Sequence, residues 1–208
     1  HSDHIQGLKA ICKKLDIPIY CNRLTADELR FRLKIDLNIC QFVTGETFEI
    51  GNMIIENFAV PHDAQDPVGF HIKTPDGGIG ILTDLGQTTR LVLERVRGVK
   101  ALLIEANYDL KRLQEDTRRP WSIKQRIMSR HGHLSNRDTA EAIENLANEK
   151  LENIVLCHLS SDCNTPELAR QSITDKLVKL GIENTKITLS NQDEPTETLF
   201  IDNFFLEG

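Results

Sequence analysis

The chain has 208 residues, of which 39% are hydrophobic and 27% are charged, and its formal net charge is −6 at pH 7. These values are ordinary for a globular protein and predict one domain spanning residues 1–208. The negative net charge argues against a protein that coats nucleic acid without sequence preference. The absence of a run of about 18 apolar residues argues against a transmembrane helix.

In chain order, apolar periodicity first predicts a helix over residues 4–16. Thr25 with Glu28 then predicts a capping box that opens a helix ending near Lys34. Short apolar runs in the first half predict strands at 17–21, 39–43, 47–50, 53–60, 68–74 and 79–84. The turn sequence TPDGG joins the last two of these runs, which predicts a β-hairpin.

The second half alternates helical and strand patterns. Helices are predicted at 87–97, at 121–130, from the Ser135–Asp138 cap to about Asn148, and from Thr165 to Gly181. Strands are predicted at 101–106, 153–160, 186–190 and 198–202. The helix at 87–97 is expected to bury Leu91, Val92 and Val96. Strand blocks with intervening helices predict a layered α/β domain.

Histidines and aspartates recur where a predicted strand ends or a helix begins. The six positions are His1, Asp3, His4, His62, Asp84 and His158. Functional groups gather at strand ends in layered α/β folds, and imidazole with carboxylate suits zinc, manganese or iron. The pattern therefore predicts two adjacent metal ions bridged by Asp84, although Asp84 alone is also compatible with an N-cap of the 87–97 helix. His71 lies within a strand and is expected on a solvated face.

The motif HSDHIQGL resembles the end of the H-x-H-x-D-H signature of the metallo-β-lactamase superfamily. His1 matches the second histidine of that signature, and Asp3 and His4 match its D-H pair. The motifs AVPHDA, GILTDLG and VLCHLSS resemble the later ligand motifs of the family, in the expected order. The resemblance implies a four-layer αββα sandwich holding two divalent metal ions. It also implies a first signature histidine and further strands before His1, so the chain is expected to be N-terminally truncated.

Three further motifs, LLIEANYD, PWSIKQRIMSRHGHLSN and CHLSSDCNTPELA, resemble the YycJ/WalJ-like branch of this superfamily. That branch is linked to bacterial cell-wall signalling and to DNA exonuclease activity. The HGHLSN region also resembles tRNase Z, in which a histidine before a capped helix assists phosphodiester cleavage. The counterpart of that histidine is His133. The resemblance implies a metal-dependent phosphodiesterase or nuclease, most like a DNA exonuclease.

Two residues receive catalytic roles in this interpretation. Asp3 binds a metal ion and orients the attacking water, whereas His133 contacts the phosphate or protonates the leaving oxygen. Four polar residues are predicted to contact substrate or support the site: Ser135, Asn136, Ser160 and Asn164. A helix cap at Ser135 and turn chemistry at the residues near His158 are the simpler alternatives.

Basic residues and a tryptophan precede the HGHLSN motif, and they leave two interpretations open. The set comprises Lys124, Arg126, Arg130 and Trp121, and Arg137 follows the motif. Such residues can track a phosphate backbone and stack on a base. A solvated helix face and ordinary packing are the more common roles.

Two other functions stay open at this point. The first is a hydrolase of the same fold that acts on a thioester or a lactam, and the second is a non-catalytic, metal-binding regulatory module. The GHLSN loop favours the phosphodiesterase because it offers phosphate-directed groups. The expected metal is zinc, with manganese or iron as alternatives. The expected partner is nucleic acid or another phosphodiester rather than a membrane, and a homodimer is allowed. The five cysteines are irregularly spaced, which favours a cytoplasmic location.

Overall fold

The structure, a computed structural model, describes residues 1–147 and 150–201. The helices are α1 (Leu8–Lys14), α2 (Arg23–Leu33), α3 (Arg90–Arg95), α4 (Leu110–Glu115), α5 (Trp121–Ile127), α6 (Asn136–Leu146) and α7 (Pro166–Lys179). A single 3₁₀ turn, Ser2–His4, precedes α1. The strands are β1 (Ile19–Asn22), β2 (Ile39–Phe42), β3 (Thr47–Ile50), β4 (Met53–Ala59), β5 (Val68–Thr74), β6 (Gly77–Leu82), β7 (Ala101–Glu105), β8 (Asn153–Cys157) and β9 (Lys186–Leu189).

Seven strands form one mixed sheet in the order β3-β4-β5-β6-β7-β8-β9. Neighbours from β3 to β6 are antiparallel, and neighbours from β6 to β9 are parallel. The predicted β5–β6 hairpin and the α/β class are confirmed. A separate pair, β1 and β2, runs parallel, and its Phe42 ring lies 5.0 Å from Phe48 and 6.0 Å from Phe70 of the large sheet, between ring centroids.

The main core lies between the parallel strands and the helices that cross over them. β7 and β8 are almost entirely apolar, as expected for parallel strands covered by helices. The helix α7 buries Ala169, Ile173 and Leu177 at i, i+4 and i+8, so one face of this helix packs on the sheet. Ser135 caps α6 through the predicted capping box with Asp138.

Four strand ends meet at one edge of the large sheet. β5 is antiparallel to both β4 and β6, so β4 and β6 run in the same direction, and β6, β7 and β8 are parallel. The polar residues at or just after these carboxyl ends are His62, Asp84, Glu105 and His158. This topology brings residues that are distant in the sequence to a single place.

One predicted helix cap is wrong, and the alternative role of Asp84 as an N-cap does not hold. Asn22, not Thr25, begins α2: its side chain accepts a hydrogen bond from the Thr25 backbone N–H, so Thr25 lies inside the helix. Thr89 caps α3 in the same way, so Asp84 is not the N-cap of that helix. Val92 and Val96 are buried as predicted, but Leu91 is exposed.

Other differences concern lengths and one histidine. The predicted helix at 4–16 splits into the 3₁₀ turn and α1, while α4 was not predicted. Residues 198–201 form no strand, and Asp202 and Asn148, at the ends of two predicted elements, lie outside the described residues. The predicted solvated face for His71 is wrong, because its half-buried ring bonds through Nδ1 to the Arg95 carbonyl at 2.8 Å. No helix in the described ranges is long and apolar enough to cross a bilayer.

Candidate metal centre

The first group of candidate ligands joins the N-terminal residue to the loop after β4. His1 Nδ1 lies 3.2 Å from His62 Nε2. Asp63 Oδ1 lies 3.7 Å from His1 Nε2 and 3.6 Å from His62 Nε2. The other oxygen of Asp63 accepts a hydrogen bond from Arg126, and the pKa of this carboxyl lies below its usual value, chiefly because of that bond.

The second group joins the 3₁₀ turn to the loop after β8. Asp3 Oδ2 lies 3.6 Å from His4 Nε2 and 3.5 Å from His158 Nε2. The turn presents Asp3 and His4 on consecutive residues, so both side chains reach the same side of the site. His158 approaches from the sheet and closes this group.

Asp84 lies between the two groups. Its Oδ2 contacts His4 Nε2, and its Oδ1 lies 3.5 Å from His62 Nε2 and 3.7 Å from His158 Nε2. Oδ1 therefore faces a histidine of each group and Oδ2 faces the second group, and a carboxylate in this position can bridge two cations. The six residues singled out in the sequence therefore converge in space, with Asp84 at the centre.

The spacing of these donor atoms matches the spacing around bound cations. Ligand atoms about 2.0–2.2 Å from a tetrahedral zinc ion lie about 3.3–3.6 Å from one another. The nitrogen and oxygen distances given for the two groups span 3.2–3.7 Å. His1 faces His62 through Nδ1 and Asp63 through Nε2, and only one of these nitrogens can bind a given cation. Imidazole and carboxylate are also the donors that zinc, manganese and iron accept. The residues present thus fit a pair of divalent cations.

Glu105, at the end of β7, orients two histidines of the site. Its carboxylate is completely buried and accepts hydrogen bonds from His133 Nδ1 at 3.1 Å and from His158 Nδ1 at 3.0 Å. The bond to Nδ1 fixes the ring orientation and leaves Nε2 of His158 facing the cluster. His62 is held in the same manner, with Nδ1 bonded to the Gly132 carbonyl at 2.9 Å. Partners of this kind are typical of metal-binding histidines.

Glu105 also holds the backbone of the loops around it. It accepts hydrogen bonds from the backbone N–H groups of Asp84, Leu85 and Leu134. Asp84 and His158 both have positive φ, of 54° and 55°, a conformation that non-glycine residues adopt at some energetic cost. The Glu105 bonds keep Asp84 in this conformation, which turns its side chain toward the histidines.

Two glycines allow the loops to approach closely enough to form the site. A Cβ on Gly86 would lie 2.3 Å from the Ser129 carbonyl oxygen, and a Cβ on Gly132 would lie 2.1 Å from the Ile127 carbonyl oxygen. Only glycine is compatible with such contacts. The Gly86 contact places the loop before His133 directly against the loop after Asp84, and the Gly132 contact folds the loop before His133 onto the end of α5.

The electrostatics couple the carboxylates to the imidazoles. Burial raises the pKa of Asp84, but the hydrogen bond from His4 and the nearby His158 lower it to about 2. Burial lowers the pKa of His158, but the bond to Glu105 and the charge of Asp84 raise it to about 9. Asp84 is thus anionic at neutral pH, and a cation bound at His158 would compete with the proton on that ring.

Residues 1–159 match the family model described as Beta-lactamase superfamily domain. This chain belongs to the beta-lactamase superfamily. It is 34% identical over 184 residues to the Exodeoxyribonuclease YycJ of Bacillus anthracis, a match that covers 87% of this chain and 69% of that protein. It is also 34% identical over 186 residues to the Exodeoxyribonuclease WalJ of Streptococcus pneumoniae, covering 88% and 69%.

A solved structure supports the superfamily fold independently. The metallo-beta-lactamase fold protein YhfI from Bacillus subtilis superposes with a TM-score of 0.66 at 12% sequence identity, covering 92% of this chain and 71% of that one. At this identity the likeness concerns the fold alone. Membership in the superfamily implies divalent metal ions, and the donor cluster described above is where this chain offers ligands for them.

The four residues predicted to contact substrate have partners within the protein. Asn136 and Asn164 are buried, and their side-chain amides bond to each other at 2.8 and 2.9 Å. Ser135 exchanges hydrogen bonds with Asp138 in the helix cap, and Ser160 Oγ accepts a bond from the Cys163 N–H at 3.1 Å. These contacts position the loops on either side of His158. Substrate contact by these four residues stays a prediction.

Two residues of the site were missed in the sequence. Glu105 ends the apolar strand ALLIE, and a single carboxylate at the end of a buried strand is the signal that could have identified it. Asp63 directly follows a predicted ligand, and only the fold shows that it lies beside both His1 and His62. The assignment of individual residues as ligands remains a prediction from sequence and geometry.

Proposed function

We propose that this protein is a metal-dependent phosphodiesterase that hydrolyses DNA as an exonuclease. The observation that carries the proposal is the position of His133. Its Nδ1 lies 3.6 Å from Asp84 Oδ1 and bonds to Glu105, so His133 forms a third cluster of possible donors with Asp84, Glu105 and His158, outside the two groups described above. A partly exposed imidazole beside the bridging carboxylate is suited to act on a phosphate. The two relatives described above, which bear the name exodeoxyribonuclease, support a DNA substrate.

In this proposal two divalent cations, zinc first and manganese or iron as alternatives, are held by His1, Asp3, His4, His62, Asp84 and His158. Such a pair supplies Lewis acidity and an activated water. Asp3 is exposed at the mouth of the site, so its free oxygen can accept a hydrogen bond from the attacking water and orient it. Asp84 keeps the two groups at a fixed separation.

His133 acts on the other side of the scissile bond. Because Glu105 accepts the Nδ1 proton, the Nε2 atom of His133 is left for the substrate. A proton on Nε2 can be donated to the leaving oxygen, and the cationic ring stabilises the charge that develops on the phosphate. Glu105 is negative in this geometry and stabilises the protonated ring. In this pair His133 is the general acid, and Glu105 orients its ring.

We also propose a cytoplasmic location, because all five cysteines are free thiols in the structure. The single domain over residues 1–208 and a homodimer stay predictions.

The test is hydrolysis of end-labelled single- and double-stranded DNA by the metal-loaded protein. We expect nucleotide release that stops on chelation and returns when zinc or manganese is added. A thioester and a chromogenic cephalosporin serve as comparison substrates for the two alternative hydrolases. Hydrolysis of either one without cleavage of DNA would overturn the proposal, and so would cleavage that survives chelation.

A further inference from the structure

The positive charge of this acidic chain is concentrated in one segment. Residues 111–130, which span most of α4, all of α5 and the connection between them, carry seven basic and two acidic residues. Their net charge is +5, which leaves −11 for the other 188 residues. We call residues 111–130 the basic segment. Local positive charge on an otherwise acidic protein indicates a binding surface for a polyanion.

The basic segment also exposes the one tryptophan of the chain. Trp121 opens α5 and is 59% exposed, although tryptophan normally packs against other side chains. At about 100° per residue, Ser122 and Gln125 lie between Trp121 and Arg126 on the exposed side of the helix. Trp121 and Arg126 are separated by about 7.5 Å along the axis.

Ion pairs hold the basic segment in a fixed shape. Arg119 bonds to Asp116 at 2.6 Å and to Asp162 at 2.7 Å, and Arg118 contacts the same two carboxylates at 3.2 and 2.9 Å. Lys124 is buried and donates to the Gln114 carbonyl at 2.7 Å, which ties α5 to α4. The surface is therefore organised before any ligand arrives.

The basic segment adjoins the metal centre. Arg126 bonds to Asp63, which lies beside His1 and His62, and the Asp63 N–H donates to the His131 carbonyl at 3.0 Å. Arg130, three residues before His133, is exposed, and the described part of the chain offers its side chain no partner. Both arginines therefore lie in the stretch of chain that leads from α5 to His133.

We propose that the basic segment binds the single-stranded stretch of a DNA substrate next to the scissile bond. Trp121 stacks on an unpaired base, and Arg126 and Arg130 contact the phosphates between that base and the metal centre. Stacking on Trp121 requires a base that is not stacked within a duplex, so the segment takes single strands or frayed ends. The proposal rests on the proposed function for its substrate, and it makes that substrate a polynucleotide rather than a small phosphodiester.

The single tryptophan makes the proposal directly measurable. The probe is a 12-nucleotide phosphorothioate oligothymidylate, which resists hydrolysis, titrated into the metal-loaded chain. We expect saturable quenching of the Trp121 emission. By anisotropy of a labelled probe, Trp121→Ala should weaken binding about 5- to 150-fold, whereas Trp121→Phe should retain most of the affinity. Arg130→Gln should reduce the slope of log affinity against log salt by about 0.7.

Matched substitutions elsewhere provide the controls. Phe31→Ala removes an aromatic ring that is 76% exposed on α2, and Lys179→Gln removes an exposed charge at the end of α7. Both should leave the affinity and the salt slope unchanged. Unquenched Trp121 emission, or equal losses in Trp121→Ala and Phe31→Ala, would overturn the proposal and assign the surface to something other than DNA.

The two proposals fail separately. Hydrolysis of a small chromogenic phosphodiester by the unaltered chain tests the proposed function without involving the basic segment. DNA cleavage without quenching of the Trp121 emission would contradict DNA binding by the basic segment and would leave the proposed nuclease activity standing. Quenching without any phosphodiester hydrolysis would reject the nuclease and keep the DNA-binding surface.

Discussion

The residues that the large sheet contributes to the metal centre are less exposed than those from the N-terminal segment. The side chains of His62 and Asp84 are 2% and 17% exposed, against 41% for His4 and 59% for Asp3. The sheet side is fixed by Glu105 and by close loop contacts. The Ser2–His4 turn has no side-chain cap and no buried residue. The difference indicates that the sheet side is preorganised. Under the proposed function, cations would hold the N-terminal side in place.

Asp84 is the residue that joins the two sides, so its loss has the largest expected effect. Asp84→Ala removes the carboxylate that faces both donor groups, and we expect DNA hydrolysis to fall about 10⁴-fold. Metal content measured on the purified variant should fall together with activity. An exposed aspartate, Asp175→Asn on α7, is the matched control. Full activity in Asp84→Ala would contradict a metal centre in which both donor groups share the Asp84 carboxylate.

His133 tests the sheet side without removing a ligand. His133→Ala should lower kcat on DNA about 10²–10⁴-fold, because general acid catalysis is lost, while both metal ions stay bound. The deficit should shrink for a substrate with a nitrophenolate leaving group, which needs no proton. Loss of metal in proportion to activity would instead identify His133 as a ligand.

Glu105 tests how the sheet side is organised. Glu105→Gln removes the negative charge that orients His133 and His158, and we expect metal affinity to fall about 10–100-fold. The buried network should also lose about 1–3 kcal/mol of unfolding free energy, measured by urea denaturation of the metal-free chain. Asp3→Asn, on the exposed side, should change that free energy by less than about 0.5 kcal/mol. Equal losses of unfolding free energy in Glu105→Gln and Asp3→Asn would contradict the conclusion that the sheet side is the more preorganised one.

The substitution with the smallest expected effect is at Ser135, the N-cap of the helix that follows His133. Ser135→Ala removes the cap of α6 and should cost about 1 kcal/mol of unfolding free energy. Because the hydroxyl is bonded to Asp138, we expect DNA affinity in anisotropy titrations to change less than twofold. A larger loss of affinity without loss of stability would support the predicted substrate contact of Ser135.

The six candidate ligands could be located in the sequence because each one follows an apolar strand or belongs to the HSDH motif. The convergence of His62, Asp84 and His158 follows from strands that run in the same direction and end at one edge, whereas His1, Asp3 and His4 come from the N-terminal turn. The place of Glu105 at the end of a buried strand could have marked it as a site residue, but its role could not be assigned, since a strand pattern does not show which buried residue accepts hydrogen bonds from distant loops. Asn22 was missed as a cap because it is also the last residue of β1, and α4 was missed because its sequence LKRLQE has little apolar periodicity.

The account depends most on two cations sharing Asp84, and the most direct measurement is a metal-loaded crystal structure with anomalous scattering at the metal edge. We expect two ions about 3.5–4 Å apart. Both should contact Asp84, with His62 and His158 on different ions and His133 on neither. A single ion, or an arrangement in which Asp84 contacts only one ion, would contradict the account.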